Sequence, residues 1–353
     1  MGRTAHLCNV YCGRSRTRKT ALGRSSHAGL TRPGYRGCTV VQRLLLASPR
    51  GYCAGVERAV ETVERALALY GAPVYVRKQI VHNSHVVENL RARGAVFVDA
   101  LADVPEGATV VFSAHGIAPA VRREAESLSL TTIDATCPLV TKVHAQARRY
   151  AEAGYALVLI GHEGHEEVEG TLGEAPEAIV LVQSTDDAER VPLPDDKPLA
   201  YLTQTTLSVD ETNEIVAVLR RRFPRIEGPA REDICYATSN RQWAVKELLR
   251  AVDLLLVVGS ENSSNSVRLV EVARADGTPA HLVDDVRGIE ESWLAGCETV
   301  GLTSGASAPE RLVTEVCDWF RARGAEVCEQ EPVHEDVSFK LPVELRRAER
   351  AAA

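Results

Sequence analysis

The stretch Arg43–Cys53, RLLLASPRGYC, runs directly into AGVERAVETVERALALY over 54–70, and together they decide the fold. Three leucines make a short apolar strand, a Pro/Gly turn ends it, and Cys53 stands where the next element begins. Beyond it Val56, Val60, Val63, Ala66, Leu67 and Tyr70 recur at three- and four-residue steps. That stripe belongs to an amphipathic helix burying one face. Strand, polar turn and helix form the unit of a parallel α/β sheet covered on both faces.

Working outward, the unit recurs nine times. In chain order the starts are 43–53, VYVRKQIVHN (74–83) and TVVFSAHG (109–116), then TTIDATC (131–137), ALVLIGHEGH (156–165) and LAYLTQTT (199–206). EDICYATSN (232–240), LLLVVGSENSSNS (254–266) and VGLTSGAS (300–307) complete the series. The pattern predicts three similar αβα lobes with mostly parallel sheets converging on one centre. Their boundaries are 55–137, 138–231, and 42–54 joined to 232–325, with 326–353 as a C-terminal tail. In such sheets ligands gather beyond the carboxyl ends of the strands, where helix N-termini attract anions.

Cys53, Cys137 and Cys235 each stand at one of these turns, 84 and 98 residues apart. A helix N-terminus favours the thiolate, the ligating form. None belongs to a C-x-x-C or C-x-x-H pair, so zinc is a poor fit. Thiolates select iron–sulfur clusters, and three of them leave one iron open, whereas electron-carrying clusters use four. Cys297, Cys317 and Cys328 sit within helix and strand patterns and read as space-filling thiols.

Other turns are polar. His82, His115 and His165 occupy three equivalent strand ends, and Thr205, Ser263, Ser264, Asn265 and Ser307 fill three more. Their donors could enclose a polyanion such as a diphosphate. Glu167, two residues past His165, could relay protons if partly buried, while Glu163, Glu166 and Glu169 read as solvated. No P-loop or G-x-G-x-x-G follows any strand, which argues against nucleotide hydrolysis or an in-chain nicotinamide site.

Composition sets the outer limits. At 353 residues and 45% hydrophobic content the chain can build several cores, and no apolar run approaches the ~20 residues that span a bilayer. Nine cysteines lack the dense, even spacing of a disulfide scaffold, so a reducing cytoplasm is expected. Residues 1–50 hold ten Lys or Arg and no acid, leaving 31 basic against 48 acidic side chains over 51–353, a net of −17. Such a body is a poor general binder of nucleic acid or anionic membrane. Residues 1–41 read as a basic, disordered extension outside the fold, with Cys8, Cys12 and Cys38 incidental.

The segments PRGYCAGVERAV, VHNSHVVENL, FSAHG, DATCPLVTKVH, GHEGHEEVEG, TQTTLSVDET, ICYATSNRQ, NSSNS, GASAPE and LPVELR follow one another across residues 43–346. In that order they resemble the 4-hydroxy-3-methylbut-2-enyl diphosphate reductase family of the non-mevalonate isoprenoid pathway. The resemblance implies three αβα lobes in pseudo-threefold arrangement about a central [4Fe–4S] cluster bound by Cys53, Cys137 and Cys235. It also implies a diphosphate cradle of His82, His115, Ser263, Ser264, Asn265 and Ser307. Glu167 would deliver protons, with His165 and Thr205 beside it at the substrate hydroxyl. The implied reaction is a two-electron reductive dehydroxylation giving isopentenyl and dimethylallyl diphosphate, fed by an external donor such as a ferredoxin or flavodoxin. One departure is Glu166, where the family more often has proline.

From the residues alone two further readings stay open. A non-enzymatic iron–sulfur protein would use the cysteines but not the polar turns. A metal-free α/β protein binding a phosphorylated ligand would use the turns but not the cysteines.

Overall fold

The computed structural model describes residues 41–330 and 335–352. The expected extension, apart from Val41, lies outside the described residues, as do Cys8, Cys12 and Cys38. β1 (Arg43–Leu46) leads through Cys53 into α1 (Ala54–Tyr70), followed by β2 (Val74–Arg77), α2 (Ser84–Ala92) and β3 (Ala95–Val98). Next come β4 (Thr109–Phe112), α3 (Pro119–Ser127), β5 (Thr131–Asp134), α4 (Pro138–Glu152), β6 (Ala156–Ile160) and α5 (Glu166–Leu172). They are followed by β7 (Ile179–Val182), α6 (Thr185–Arg190), β8 (Leu199–Thr203), α7 (Val209–Arg222) and α8 (Tyr236–Leu249). The chain closes with β9 (Leu254–Val258), α9 (Ser264–Ala275), β10 (Ala280–Val283), β11 (Thr299–Ser304), α10 (Glu310–Ala322), β12 (Glu326–Glu329) and α11 (Val343–Ala352).

Three sheets result, in the orders β3-β2-β4-β5, β7-β6-β8 and β10-β9-β11-β1-β12, and every pairing is parallel. One three-strand core is used three times: β3-β2-β4, β7-β6-β8 and β10-β9-β11 share the same strand order. The first strand of each core lies in the middle, and in β6 and β9 its sequence is continuously apolar. All five residues of β9, LLLVV, are buried. The α1 stripe packs as expected through Val56, Val63 and Ala66, joined by Ala59, on Val74, Val76 and Val111 of the neighbouring sheet, with Val60 and Leu67 partly buried beside them and Tyr70 exposed. Burying each of the larger of these side chains is worth roughly 1.5–3 kcal/mol.

Two expectations are corrected. Glu232–Asn240 contains no strand. Instead the Asp233 carboxylate accepts the Thr203 N–H at the end of β8 (3.3 Å), supplying from a side chain what a neighbouring strand would offer from its backbone. β1, first in chain order, pairs with β11, which falls with it in the expected grouping of 42–54 with 232–325. Residues 326–329, expected as tail, form β12 on the other side of β1. No helix among the described residues is long and apolar enough to cross a membrane.

Candidate active site

The repeated topology fixes positions by counting. Five residues past the middle strand of each core stand His82, His165 and Ser263; three past the third strand stand His115, Thr206 and Ser307. His82 and His165 are therefore equivalent, whereas His115, expected at a matching position, belongs to the other set. Two residues past each third strand, a backbone carbonyl accepts the N–H of one cysteine. Ala114 O takes Cys137 (2.9 Å), Thr205 O takes Cys235 (3.0 Å) and Ala306 O takes Cys53 (3.2 Å). Each cysteine is also the N-cap residue of its helix, α1, α4 or α8.

All three sulfurs line one cavity of about 680 Å³, counted out to its mouth. A Cβ built on Gly55 would stand 2.7 Å from Cys137 Sγ and 3.8 Å from Cys53 Sγ, so both sulfurs flank the space that residue leaves bare. Cys235 Sγ lies 3.3 Å from Thr238 Oγ1. The helix N-termini were expected to lower these thiols, and their N–H groups do pull downward, but burial wins. It pushes Cys53 up, Cys137 to about 12 and Cys235 to about 11, with the Cys53 charge adding to the last two.

The remaining turns face the same cavity. The His82 and His115 rings stack at 3.9 Å and 17°, and His165 meets both edge-on at 5.4 and 5.9 Å. Burial, then the neighbouring His115, drives His82 down to about 2 and His165 to about 3, so both are neutral imidazoles. Ser307 Oγ donates to His82 O (2.9 Å) and lies 3.4 Å from Ser263 Oγ. Asn265 Oδ1 accepts the Ala306 N–H (2.8 Å), while its Nδ2 donates to Thr238 Oγ1 (3.3 Å). Ser264 Oγ donates to Thr206 O (3.2 Å).

Glu167 is 2% exposed, and both its carboxylate oxygens are engaged by Thr205: Oε1 accepts the backbone N–H (2.6 Å), Oε2 the hydroxyl (2.9 Å). Burial raises its pKa. His165 Nδ1 accepts the Glu167 N–H (3.1 Å), which leaves Nε2 carrying the proton in the neutral ring. Glu166, read from sequence as solvated, is not. Its Oε2 accepts from Ser113 Oγ (3.1 Å) and lies 3.2 Å from His115 Nδ1. Burial pushes that carboxyl up, but His115, Lys78 and Ser113 together bring it below the usual range. Glu169 is exposed and pairs with Lys78 at 3.2 Å, and Glu163 is exposed as expected. Cys297 and Cys317 are buried in the core of the largest sheet, and Cys328 lies in β12.

A family model described as LytB protein matches residues 44–321. The chain belongs to the LytB family. Its relatives include the 4-hydroxy-3-methylbut-2-enyl diphosphate reductases of Acidothermus cellulolyticus and Nocardia farcinica, each 60% identical over 88% of this chain, covering 92% and 93% of those proteins. Among solved structures, the E-1-hydroxy-2-methyl-but-2-enyl-4-diphosphate reductase of Plasmodium falciparum aligns with a TM-score of 0.85 at 39% identity, over 88% of this chain and 99% of that one. A second, the (E)-4-hydroxy-3-methyl-but-2-enyl diphosphate reductase described as the terminal enzyme of the non-mevalonate pathway, gives 0.58 at 29%, over 80% and 100%.

The donor set of this LytB chain fits an iron–sulfur cluster. Three soft thiols converge with no disulfide among them, and bare space at Gly55 keeps the approach to two of them clear. Their raised pKa values mean that protons must be displaced by a strongly cationic group for the three to ionise together. By contrast, ligand atoms of His82, His115 and Glu166 lie within 4.8 Å of one another, yet the two imidazole planes are stacked in parallel and do not aim at a common point. A metal there is disfavoured. The sequence also concealed Arg241, wholly buried, which donates to the carbonyls of Gly51 (2.7 Å) and Ala237 (3.0 Å). Its motif, ICYATSNRQ, was the available signal, but an arginine on a helix reads as solvated.

Proposed function

We propose that the chain reductively dehydroxylates 4-hydroxy-3-methylbut-2-enyl diphosphate to isopentenyl and dimethylallyl diphosphate, consuming two electrons and two protons and releasing water. The observation that carries the reading is the convergence, in one cavity, of three thiols from separate helices with a buried Glu167 whose pKa is raised by that burial. Cys53, Cys137 and Cys235 would hold a [4Fe–4S] cluster, which when bound supplies electrons one at a time and a Lewis-acidic iron for the allylic hydroxyl. A non-catalytic electron carrier would have no use for Glu167.

The chain's own residues do the rest. Ser263, Ser264, Asn265 and Ser307, with His82 and His115, take the diphosphate. They anchor the far end of the substrate so that its hydroxyl reaches the sulfur side of the cavity. Glu167, its pKa raised by burial, takes up a proton at Oε2; the hydrogen bond with Thr205 Oγ1 then reverses, and the threonine hydroxyl proton turns toward the leaving oxygen. His165 presents Nε2–H beside that path while its Nδ1 keeps the Glu167 turn in place. Electrons come from an external protein such as a ferredoxin or flavodoxin, since the chain carries no nicotinamide or flavin motif. A reducing cytoplasm suits thiols that stay free of disulfides.

The test is anaerobic purification with iron and sulfide analysis, followed by substrate-dependent oxidation of a reduced viologen. About four irons per chain and turnover are expected, both lost in Cys53→Ser, Cys137→Ser and Cys235→Ser. Full activity in any of the three variants rejects the ligand set.

A further inference from the structure

Each helix that starts at one of the three cysteines carries a cation five or six residues along. In every case that cation reaches beyond its own helix, although Arg241 Nη1 also donates to Ala237 O on α8 (3.0 Å). On α1, opened by Cys53, Arg58 donates from Nη1 to Thr136 O (2.9 Å) and from Nη2 to Asp134 O (3.4 Å), in the approach to Cys137. On α4, opened by Cys137, Lys142 Nζ donates to Arg231 O and Glu232 O (2.8 Å each) and to Asp233 Oδ1 (3.0 Å), in the approach to Cys235. On α8, opened by Cys235, Arg241 Nη2 donates to Gly51 O (2.7 Å) and Tyr52 O (3.4 Å), in the approach to Cys53. The circuit closes on itself.

We propose that Arg58, Lys142 and Arg241 are positioning residues for the thiol site, a closed ring in which each cation sets the place of the sulfur on the following helix. The proposal rests on the reading of the three cysteines as cluster ligands. Two physical arguments carry it. The carbonyls being held lie at the end of β5 and in the turns that lead to the cysteines, and charge-assisted bonds are roughly twice as strong as neutral ones. The bonds also span 76 to 191 residues of sequence, which a cation serving only its own helix would not need. The ring therefore sets the three cysteine turns before any metal arrives. Arg58 Nε and Arg241 Nη1 use their spare donors on Lys340 O (2.8 Å) and the Glu335 carboxylate (3.2 Å), fastening the C-terminal segment to two members.

The ring predicts which sulfur loosens, and that can be read on metal-free protein. Wild type, Arg58→Met, Lys142→Met and Lys142→Arg, prepared anaerobically and matched by circular dichroism, are treated with iodoacetamide. Alkylation of each cysteine is followed by peptide mass spectrometry. In Lys142→Met, Cys235 should react about tenfold faster, with Cys53 and Cys137 within about twofold of wild type. In Arg58→Met, Cys137 should be the one that quickens, and Lys142→Arg should restore most of the protection. Acceleration at the variant's own cysteine, or equally at all three, overturns the ring. Arg241 is fully buried, so Arg241→Lys, which keeps the charge, replaces the methionine variant there, and Cys53 should respond. If wild-type protein then takes up no iron and sulfide while this order holds, the cluster reading falls and the ring stands.

Discussion

Glu167 and Thr205 are joined twice, carboxylate to backbone N–H at 2.6 Å and carboxylate to hydroxyl at 2.9 Å, and the carbonyl of the same threonine holds the Cys235 N–H at 3.0 Å. A single residue thus links the buried carboxylate of Glu167 to the backbone of Cys235. Glu167→Gln keeps the shape and an acceptor for the backbone N–H but carries no proton to give. It should retain the cluster, by iron analysis and visible absorption, and lose turnover by about 100-fold or more. Near-normal turnover would remove Glu167 from the proton path.

Gly55→Ala probes the thiol site without touching a ligand. Alanine is favoured over glycine within a helix by about 1 kcal/mol, so α1 itself should not weaken. The added Cβ would stand 2.7 Å from Cys137 Sγ, closer than the sulfur can tolerate. We expect thermal stability of the metal-free protein near that of wild type and cluster content less than half as great after reconstitution. Full cluster content in this variant would mean that the sulfur has room to retreat.

Acid should unfold the metal-free protein in a way traceable to two imidazoles. His82 and His165 sit at about 2 and about 3 when folded, held neutral by burial and then by His115, against an ordinary value near 6.5. The unfolded chain therefore binds protons that the native chain refuses, and stability declines as pH falls from about 6.5 toward 3. Each imidazole contributes at most roughly 1.4 kcal/mol per pH unit, less where the cavity lets water in. Urea midpoints between pH 7 and 5 should fall less steeply for His82→Asn than for wild type. Parallel slopes would show that His82 does not stay neutral.

Glu166 occupies the first position of α5, where its N–H needs no helical partner and proline is tolerated. Glu166→Pro should keep the helix while removing the acceptor shared by His115 and Ser113. Substrate KM should rise several-fold with kcat little changed, because a loosened His115 weakens diphosphate binding without touching the proton path. An equal fall in kcat and kcat/KM would place Glu166 in the chemistry itself.

Most of the architecture could be read from the sequence because strands leading to functional turns end in conspicuous polar or glycine-rich runs. Eight of the nine starts are strands, from Arg43–Leu46 to Thr299–Ser304. The ninth failed because Ile234 and Cys235 look like a strand, while the pairing is made by the Asp233 side chain. The strands that went unseen, Ala95–Val98, Ile179–Val182, Ala280–Val283 and Glu326–Glu329, are four-residue edge strands whose ends lead to no site residue. Within the site, the cysteines and His82, His115, His165 and Thr205 could be read from type and position. Arg58, Lys142, Arg241 and Glu166 could not, because a charge on a helix surface and a charge turned inward look alike in one dimension.

The amide contact from Cys53 to the carbonyl of Ala306 has a bearing on which molecules the cavity admits. Ser307, assigned to the anionic end of the substrate, is the very next residue. The reach from anion to sulfur is thereby written in main-chain bonds, and exchanging side chains along the walls leaves it untouched. Altering the chain length of the accepted molecule would call for inserting or deleting residues in the turns that follow Phe112, Thr203 and Ser304.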